Sequence, residues 1–361
     1  MSNQLADSRQ TVTHRGSRNY VLVLPSVICS HTVADRIADT VDGCVATPHD
    51  HGCAQIGRDN ERTKRTLIAM GTNPNVAGVV VVGLGCEHVQ SDTVATALKN
   101  QSVPVRELTI QGVGGTEACL TQGIEAAVEL RKSASNIGPT RIGLGDLTVG
   151  IISTDVSEPT ATVADPLVGA VADRVQAAGG RVVVAGTERV TAHPEAASNR
   201  VDDPIDSLVE AARSEPPHAP AVHRQIAASS FDAATRAWGG NRIDELIEYG
   251  DSPDSETSLG LVDSASRFEE AATALVAAGA QVIVHVTGDG IPTGHPIAPV
   301  IKVSATPRTL KAVPADIDID ARSTDVEALV EYLESIANGA PCRAEVHGVT
   351  GFAIKRVGPS M

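Results

Sequence analysis

The chain alternates short runs of β-branched residues with longer stretches in which apolar residues recur at helical spacing. This alternation indicates βα units, in which parallel strands are connected by helices that pack on the sheet. The pattern predicts strands over 20–24, 79–83, 103–110, 150–153, 181–185, 259–262, 281–286 and 300–304. It predicts helices over 32–41, 61–70, 116–133, 166–178, 205–213, 267–278 and 326–337. The predicted fold class is α/β, with largely parallel sheets flanked by helices in Rossmann-like layers.

Polar, turn-rich stretches interrupt this pattern and predict the domain organisation. Residues 133–140, SASNIGPT, lack periodicity and carry Asn, Gly and Pro, which favours a domain boundary. Residues 214–221, SEPPHAPA, contain three closely spaced prolines, which forbid a helix. The predicted units are a flexible N-terminal tail at 1–17, an α/β domain at 18–138, and a second α/β domain at 139–361 with a helical insert near 222–249.

Composition and charge exclude several classes of partner. The 361 residues carry a net charge of −15, and only six of the 29 basic residues are lysine. Nucleic acid and anionic membrane surfaces repel negative charge, so we expect neither as a partner. No apolar run approaches the roughly 18 residues that span a bilayer, and residues 1–17 do not resemble a secretory signal. We therefore expect a cytoplasmic protein, and the acidic, lysine-poor composition is typical of a halophilic one.

The six cysteines are too widely spaced for the disulfide framework of a secreted domain, so they are reduced thiols or metal ligands. Three of them follow apolar runs, as do other polar residues, and the carboxyl ends of parallel strands meet at one edge of a sheet. We therefore expect these residues to converge. The residues that follow such runs are Cys29, His49, His51, Cys53, Cys86, Glu87, Gly114, Gly115 and Thr116.

Thiolate and imidazole ligands favour iron or zinc. If Cys29, Cys53 and Cys86 coordinate, a metal would keep an open position for a substrate. The alternative is that each cysteine is a small buried apolar residue, which is the interpretation we adopt for Cys44 and Cys342.

Two glycine-containing segments are candidates for substrate binding. In VGGTE, residues 113–117, free backbone N–H groups at a helix start can hold a carboxylate or phosphate. Residues 286–303, VTGDGIPTGHPIAPVIKV, form a tightly turned loop leading to Lys302, with Asp289 and His295 as candidate chemical groups. The alternative is a loop that is shaped only for packing.

Several motifs together resemble the altronate and galactarate dehydratase family, which removes water from sugar acids. They are RGSRNYVLVLPSVICS, VDGCVATPHDHGC, NPNVAGVVVVGLGCE, GGTEACLTQGIEAA and TGDGIPTGHPIAPVIKVSATPRTL with PADIDIDA. The resemblance implies a hydro-lyase that forms a 2-keto-3-deoxy acid and uses Fe²⁺, another divalent transition metal or an iron–sulfur cluster. It also implies a separate small substrate-binding subunit, because the family's small N-terminal module is absent from these 361 residues. Assembly with copies of itself is left open.

The resemblance implies roles for matched positions. His49 is expected to be a base or metal ligand, Glu87 an acid, and Lys302 a catalytic group or carboxylate partner. Cys29, Cys53 and Cys86 are the other expected metal ligands. The expected substrate-binding residues are Arg18, Asn19, Gly114, Gly115, Thr116, Thr287, Gly288, Gly290 and Gly294.

The middle of the chain departs from the family pattern, so other functions are alternatives to a hydro-lyase. Where relatives have a cysteine and a Gly-Gly-Ser-Asp stretch, this chain reads IISTDVSEPTATVADP. A second region, HRQIAASSFDAATRAWGG, lacks the family's acidic pair and lysine. One alternative is a large subunit similar to sulfolactate sulfo-lyase, and another is a non-catalytic scaffold or regulatory paralogue. A nicotinamide-dependent enzyme is disfavoured, because no G-x-G-x-x-G follows the first strand.

Overall fold

Two parallel β-sheets organise the chain, as predicted. The computed structural model describes residues 16–135, 141–214 and 220–356. Most of the predicted N-terminal tail and parts of the two proline-containing stretches at 133–140 and 214–221 lie outside these ranges. The first sheet contains β1 (Tyr20–Pro25), β2 (Cys44–Ala46), β3 (Val76–Gly83) and β4 (Val105–Thr109). Their spatial order is β2-β1-β3-β4, and all pairings are parallel.

The second sheet has seven parallel strands in the order β11-β10-β9-β5-β6-β8-β7. Its strands are β5 (Thr148–Ser153), β6 (Arg181–Val184), β7 (Glu245–Ile247), β8 (Leu259–Val262), β9 (Val282–Val286), β10 (Val300–Ser304) and β11 (Ile319–Asp320).

Helices connect the strands and cover the sheets. In the first half they are α1 (His31–Thr40), α2 (Arg58–Thr72), α3 (Ser91–Asn100) and α4 (Thr116–Ala134). In the second half they are α5 (Asp165–Ala177), α6 (Thr187–Ala192), α7 (Pro194–Ala197), α8 (Asp206–Ser214), α9 (Pro220–Ala228), α10 (Phe231–Ala234), α11 (Phe268–Ala277), α12 (Pro307–Ala312), α13 (Val326–Ala337) and α14 (Arg343–His347). Among the described helices, none is both long and apolar enough to cross a bilayer.

Strand β3 shows how one apolar run contributes to a buried cluster on each face of the first sheet. Its side chains point alternately to opposite faces of the sheet. Val79 and Val81 belong to a buried cluster shared with the second half of the chain, whereas Val80 and Val82 pack in a cluster with α1 and α4. A strand covered on both faces needs apolar residues at every position, which explains the continuous VVVV run.

The two halves share a continuous apolar core. Leu67 and Met70 of α2 lie in the same buried cluster as Phe268 and Leu275 of α11. Hydrogen bonds reinforce this packing, since the Asn73 amide donates to the carbonyl oxygens of Val276 and Ala280 at 2.8 and 3.0 Å. The loops after the strands of both sheets can therefore contribute to one site.

Candidate functional site

The first sheet has its topological switch point between β1 and β3, because β1 connects to β2 on one side and β3 connects to β4 on the other. Loops leave the two neighbouring strands in opposite directions there, and this crevice is the usual ligand position in open α/β sheets. Glu87 is buried at this point, where it accepts a hydrogen bond from the Ser26 hydroxyl at 3.0 Å and another from the Gly85 N–H at 2.6 Å. Glu87 thus connects the loop after β1 with the loop after β3.

The loop after β2 joins the same site. The His51 carbonyl accepts a hydrogen bond from the Ile28 N–H at 2.8 Å, and the Gly52 carbonyl accepts from the His88 N–H at 3.1 Å. Gly52 has φ +90°, and a Cβ there would lie 2.1 Å from the Ser26 carbonyl oxygen, so only glycine fits this approach. These hydrogen bonds bring the loops after β1, β2 and β3 into contact at the carboxyl edge of the sheet.

The cysteine side chains do not converge into a ligand set. Cys29, Cys53 and Cys86 are all exposed, and the Cys86 sulfur lies 4.0 Å from the Gln111 amide nitrogen. In residues 16–135, 141–214 and 220–356, no group of three or more His, Cys, Asp or Glu side chains could hold a metal ion. The residues as arranged do not fit a resident metal, and iron binding stays a prediction from the sequence. Cys342 lies buried in the apolar core, as expected.

His49 is buried, and both of its ring nitrogens are engaged by the backbone. Its Nε2 donates to the Pro25 carbonyl at 2.8 Å, and its Nδ1 accepts from the His51 N–H at 3.1 Å. Burial lowers the pKa of His49 to about 4, although the hydrogen bond to Pro25 acts in the opposite direction. The neutral ring therefore holds the loop after β2 against the end of β1. The role of His49 as a catalytic base or metal ligand remains a prediction from the sequence.

His51 is equally enclosed. The Gln55 amide nitrogen lies 2.8 Å from its Nδ1, and a carboxylate oxygen of Asp50 lies 3.2 Å from its Nε2. Burial lowers the pKa of His51, while Asp50 raises it. Neither imidazole nitrogen of His51 is free to take a proton from a ligand in this arrangement.

A cleft of about 630 Å³ opens beside these histidines, and it is the candidate site. One wall comes from the loops of the first sheet, and the other comes from the start of α11 and the C-terminal segment. The lining residues are Ile28, His31, Pro48, His49, Asp50, His51, Arg267, Glu270, Phe352, Ala353, Ile354, Lys355 and Arg356. The predicted site residue that lines it is His49.

Three cations in the cleft were not predicted. The Arg267 Nη1 lies 3.3 Å from a carboxylate oxygen of Glu270. Lys355 forms an ion pair with Asp263, and Arg356 forms one with Asp50. The available signal was the pair of adjacent cations in GFAIKRVG, which follows an apolar run in a chain with few lysines. His31 was also missed. Its Nδ1 bonds to the Ile28 carbonyl, and its Nε2 faces the Thr32 hydroxyl at 3.3 Å.

The glycine- and proline-rich loop after β9 holds the C-terminal wall of the cleft in place. Gly294 donates to the Val349 carbonyl at 2.8 Å and accepts from the Gly351 N–H at 3.0 Å. The ring of His295 lies 5.7 Å from that of Phe352, which in turn lies 6.3 Å from the ring of His49. The loop therefore shapes the cleft through packing.

Other predicted substrate-binding residues in the second half lie away from the cleft. At the end of β9, the Thr287 hydroxyl accepts from the Gly290 N–H at 3.0 Å, and the Gly288 N–H donates to Asp155. Lys302 is fully buried on β10, and burial lowers the pKa of its ammonium. The Lys302 Nζ has no hydrogen-bond partner within the described structure.

The remaining predicted residues belong to the first half. Arg18 and Asn19 precede β1 and so lie at its amino end, opposite the cleft. Arg18 forms a bidentate pair with Glu345. Gly114 and Gly115 have φ of +96° and +113° before Thr116, the first residue of α4, and none of the three lines the cleft.

Three buried imidazoles predict a loss of stability in acid. Burial lowers the pKa of His49 to about 4 and that of His285 and His295 to about 3. The unfolded chain then binds more protons below about pH 6.5, so stability falls as the pH drops. Burial raises the pKa of Asp165 to about 7, which acts in the opposite direction over this range.

We therefore expect the free energy of unfolding to fall by about 3 kcal/mol between pH 7 and pH 5. Urea unfolding at intervals of half a pH unit would measure this change. The variant Asp165→Asn removes the opposing contribution and should show a steeper loss. A stability that stays constant or rises between pH 7 and pH 5 would refute the prediction.

Two domains of a known protein family together match most of the chain. Residues 9–135 match the second domain of the D-galactarate dehydratase/altronate hydrolase family, and residues 225–360 match the C-terminal domain of D-galactarate/altronate dehydratases. The region between these two matches contains IISTDVSEPTATVADP, where the sequence departs from the family pattern.

The curated relatives are lyases by name. The chain is 27% identical to (2R)-sulfolactate sulfo-lyase subunit beta of Chromohalobacter salexigens, over 95% of this chain and 94% of that protein. It is 24% identical to altronate dehydratase of Bacillus subtilis, over 96% of this chain and 76% of the relative. The altronate dehydratase of Escherichia coli is 36% identical over 21% of this chain and 17% of its own length.

Proposed function

Since the chain belongs to the D-galactarate/altronate dehydratase family, we propose that it is a hydro-lyase that converts a sugar acid to a 2-keto-3-deoxy acid. The observation that carries this proposal is the cleft at the carboxyl edge of the first sheet, where the loops after β1 and β2 meet the C-terminal segment. Arg267, Lys355 and Arg356 line it together with three imidazoles. Clustered cations at the carboxyl edge of a parallel sheet suit a carboxylate ligand.

The reaction requires removal of a weakly acidic proton from the carbon beside the carboxylate. The C–O bond on the next carbon then breaks, its electron pair leaves with hydroxide, and the resulting enol takes up a proton to become the 2-keto acid. A positioned base and acid each contribute about 10²- to 10⁴-fold. Cations next to the carboxylate stabilise the negative charge that develops on its oxygens.

We assign the proton acceptor to His31. Its Nδ1 is held by the Ile28 carbonyl, which leaves Nε2 with only the Thr32 hydroxyl at 3.3 Å. His49 and His51 have contacts on both ring nitrogens. His31 is therefore better suited to proton transfer, and His49 supports the loop.

A second candidate reaction is elimination of sulfite from a sulfonated hydroxy acid. The relative from Chromohalobacter salexigens, which matches over 94% of its length, favours it. In this reaction the same proton is removed, and a C–S bond breaks instead of a C–O bond. That relative is named as a subunit, which supports our proposal that this chain works with a separate small subunit.

An activity screen tests the proposal. Aldonates, aldarates and sulfolactate are incubated with the full chain, with and without Fe²⁺ and with and without a small substrate-binding subunit. We expect a 2-keto-3-deoxy acid from one of the sugar acids. Pyruvate and sulfite from sulfolactate would support the second candidate. No product under any condition would contradict both and favour a non-catalytic scaffold.

A further inference from the structure

The cleft cations Arg267, Lys355 and Arg356 each form an ion pair with a carboxylate of the chain itself. Their partners are Glu270, Asp263 and Asp50, respectively. An acidic ligand in the cleft therefore has to share one of these cations or displace its partner. The three pairs differ in how exposed they are and in which parts of the chain they join.

Asp50 is the most exposed of these three carboxylates. Its side chain is 61% exposed, compared with 30% for Asp263 and 19% for Glu270. The Arg356 side chain is 43% exposed as well. Ion pairs in such positions contribute little net free energy, because water screens the attraction and the two side chains lose conformational freedom. Displacing Asp50 from Arg356 is therefore the least costly of the three exchanges.

The pair between Asp50 and Arg356 also spans the cleft. Asp50 lies on the loop after β2, whereas Arg356 belongs to the C-terminal segment that forms the opposite wall. The other two pairs lie within the second half of the chain, and Asp263 is not among the lining residues. Asp50 and Arg356 both line the cleft, so an acidic ligand there can reach both side chains.

Other contacts hold the two partners when the pair separates. The Lys355 N–H donates to the Tyr249 hydroxyl at 3.2 Å, which fixes the C-terminal segment to the second half of the chain. On the other wall, Oδ1 of Asp50 lies 3.2 Å from the Nε2 of His51, whereas Oδ2 faces Arg356. Loss of the ion pair should therefore leave the loop and the segment in place.

We propose that Asp50 competes with an acidic substrate for Arg356, so that the substrate carboxylate displaces Asp50 from the guanidinium. This inference rests on the proposed function and adds an internal competitor to its binding site. Asp50 lowers the affinity for every acid that uses Arg356, because binding exchanges one ion pair for another instead of adding one. A chain without this carboxylate should bind such acids more tightly.

Calorimetric titration of the full chain with galactarate tests the competition. Asp50→Asn removes the charge and keeps an oxygen that can face His51. We expect this variant to bind galactarate about three- to tenfold more tightly than the unmodified chain. The matched control is Asp202→Asn, which removes a carboxylate from an exposed pair with Arg242 outside the cleft and should leave the affinity unchanged.

A double-mutant cycle identifies the cation for which Asp50 competes. Arg356→Met should weaken galactarate binding. In that background, Asp50→Asn should improve the affinity by less than about twofold, because no guanidinium remains to be released. A gain of the same size with and without Arg356 would overturn the proposal, since Asp50 would then act only by general repulsion.

Salt dependence provides a second measurement. In the unmodified chain, binding replaces one exposed ion pair by another, whereas in Asp50→Asn it adds an ion pair. Raising the NaCl concentration should therefore weaken galactarate binding more steeply in the variant than in the unmodified chain. Equal salt dependence of the two proteins would contradict the exchange.

The outcomes separate this competition from the proposed reaction. If no acid is turned over but Asp50→Asn binds galactarate more tightly and loses this gain in Arg356→Met, the competition stands and the lyase proposal fails. Unchanged or weaker binding by Asp50→Asn, or binding by neither protein, would overturn the competition even in an active enzyme. Asp50→Ser replaces Asp50→Asn in each measurement if circular dichroism shows that the latter does not fold.

Discussion

Replacing Arg18 with alanine is expected to lower the free energy of unfolding by about 3–5 kcal/mol. The Arg18 Nε and Nη2 each lie 2.7 Å from an oxygen of Glu345, and other donors of the guanidinium reach the carbonyl oxygens of Ile336 and Ala340 at 2.9 and 2.8 Å. The two side chains are only 10% and 19% exposed. The substitution would leave a largely buried carboxylate without its cation, with the Tyr20 hydroxyl and the Cys342 N–H as its other donors, and would remove one donor from each of the two carbonyl groups.

The matched control is Arg106→Ala. Arg106 pairs with Glu129 on the surface, where the two side chains are 47% and 59% exposed, so its loss should change stability by less than about 1 kcal/mol. Urea unfolding of both variants measures the difference. Equal, small effects would contradict the structural role. A stable Arg18→Ala protein that no longer binds a sugar acid would support the substrate-binding role expected from the sequence.

Replacing His31 with alanine is expected to lower turnover by about 10²- to 10⁴-fold, because the substitution removes the proposed proton acceptor. His31 is the first residue of α1 and lines the cleft. Stability should change little, because both contacts of the ring are local: Nδ1 bonds to the Ile28 carbonyl, and Nε2 faces the neighbouring Thr32 hydroxyl. The effect should appear in kcat, since binding of the acid depends on the cations.

Two further histidine variants test whether the loss of turnover is specific to His31. His347→Ala, in the short helix α14, removes an exposed imidazole outside the cleft and should leave turnover unchanged. His49→Ala should reduce stability as well as turnover, because it leaves the Pro25 carbonyl and the His51 N–H without a partner. If His31→Ala retained full activity while His49→Ala remained stable and inactive, His49 would be the base.

The elements that the sequence predicts well are those with long apolar patterns. Each predicted strand and helix corresponds to an observed element, because its periodicity reflects burial on one face or on both. Helix α3 was missed, although it has ten residues. Strands β2, β7 and β11 were also missed. These strands contain two or three residues each, and pairing with a neighbouring strand defines them more than any local pattern does.

The site was only partly predictable. The carboxyl ends of parallel strands must meet, so the convergence of the loops that carry Cys29, Cys53 and Cys86 follows from the topology. The direction of each side chain does not follow, and these thiols point to solvent. His49, Arg267 and Lys355 come from three distant parts of the chain, and nothing local in the sequence connects them.

A crystal structure of the full chain soaked with galactarate would show directly where the acid binds. Our prediction is that it lies in the cleft between residues 48–51 and 352–356, with a carboxylate against Lys355 and Arg356. Galactarate bound instead at the carboxyl edge of the second sheet, beside residues 153–157 and 287–290, would contradict it.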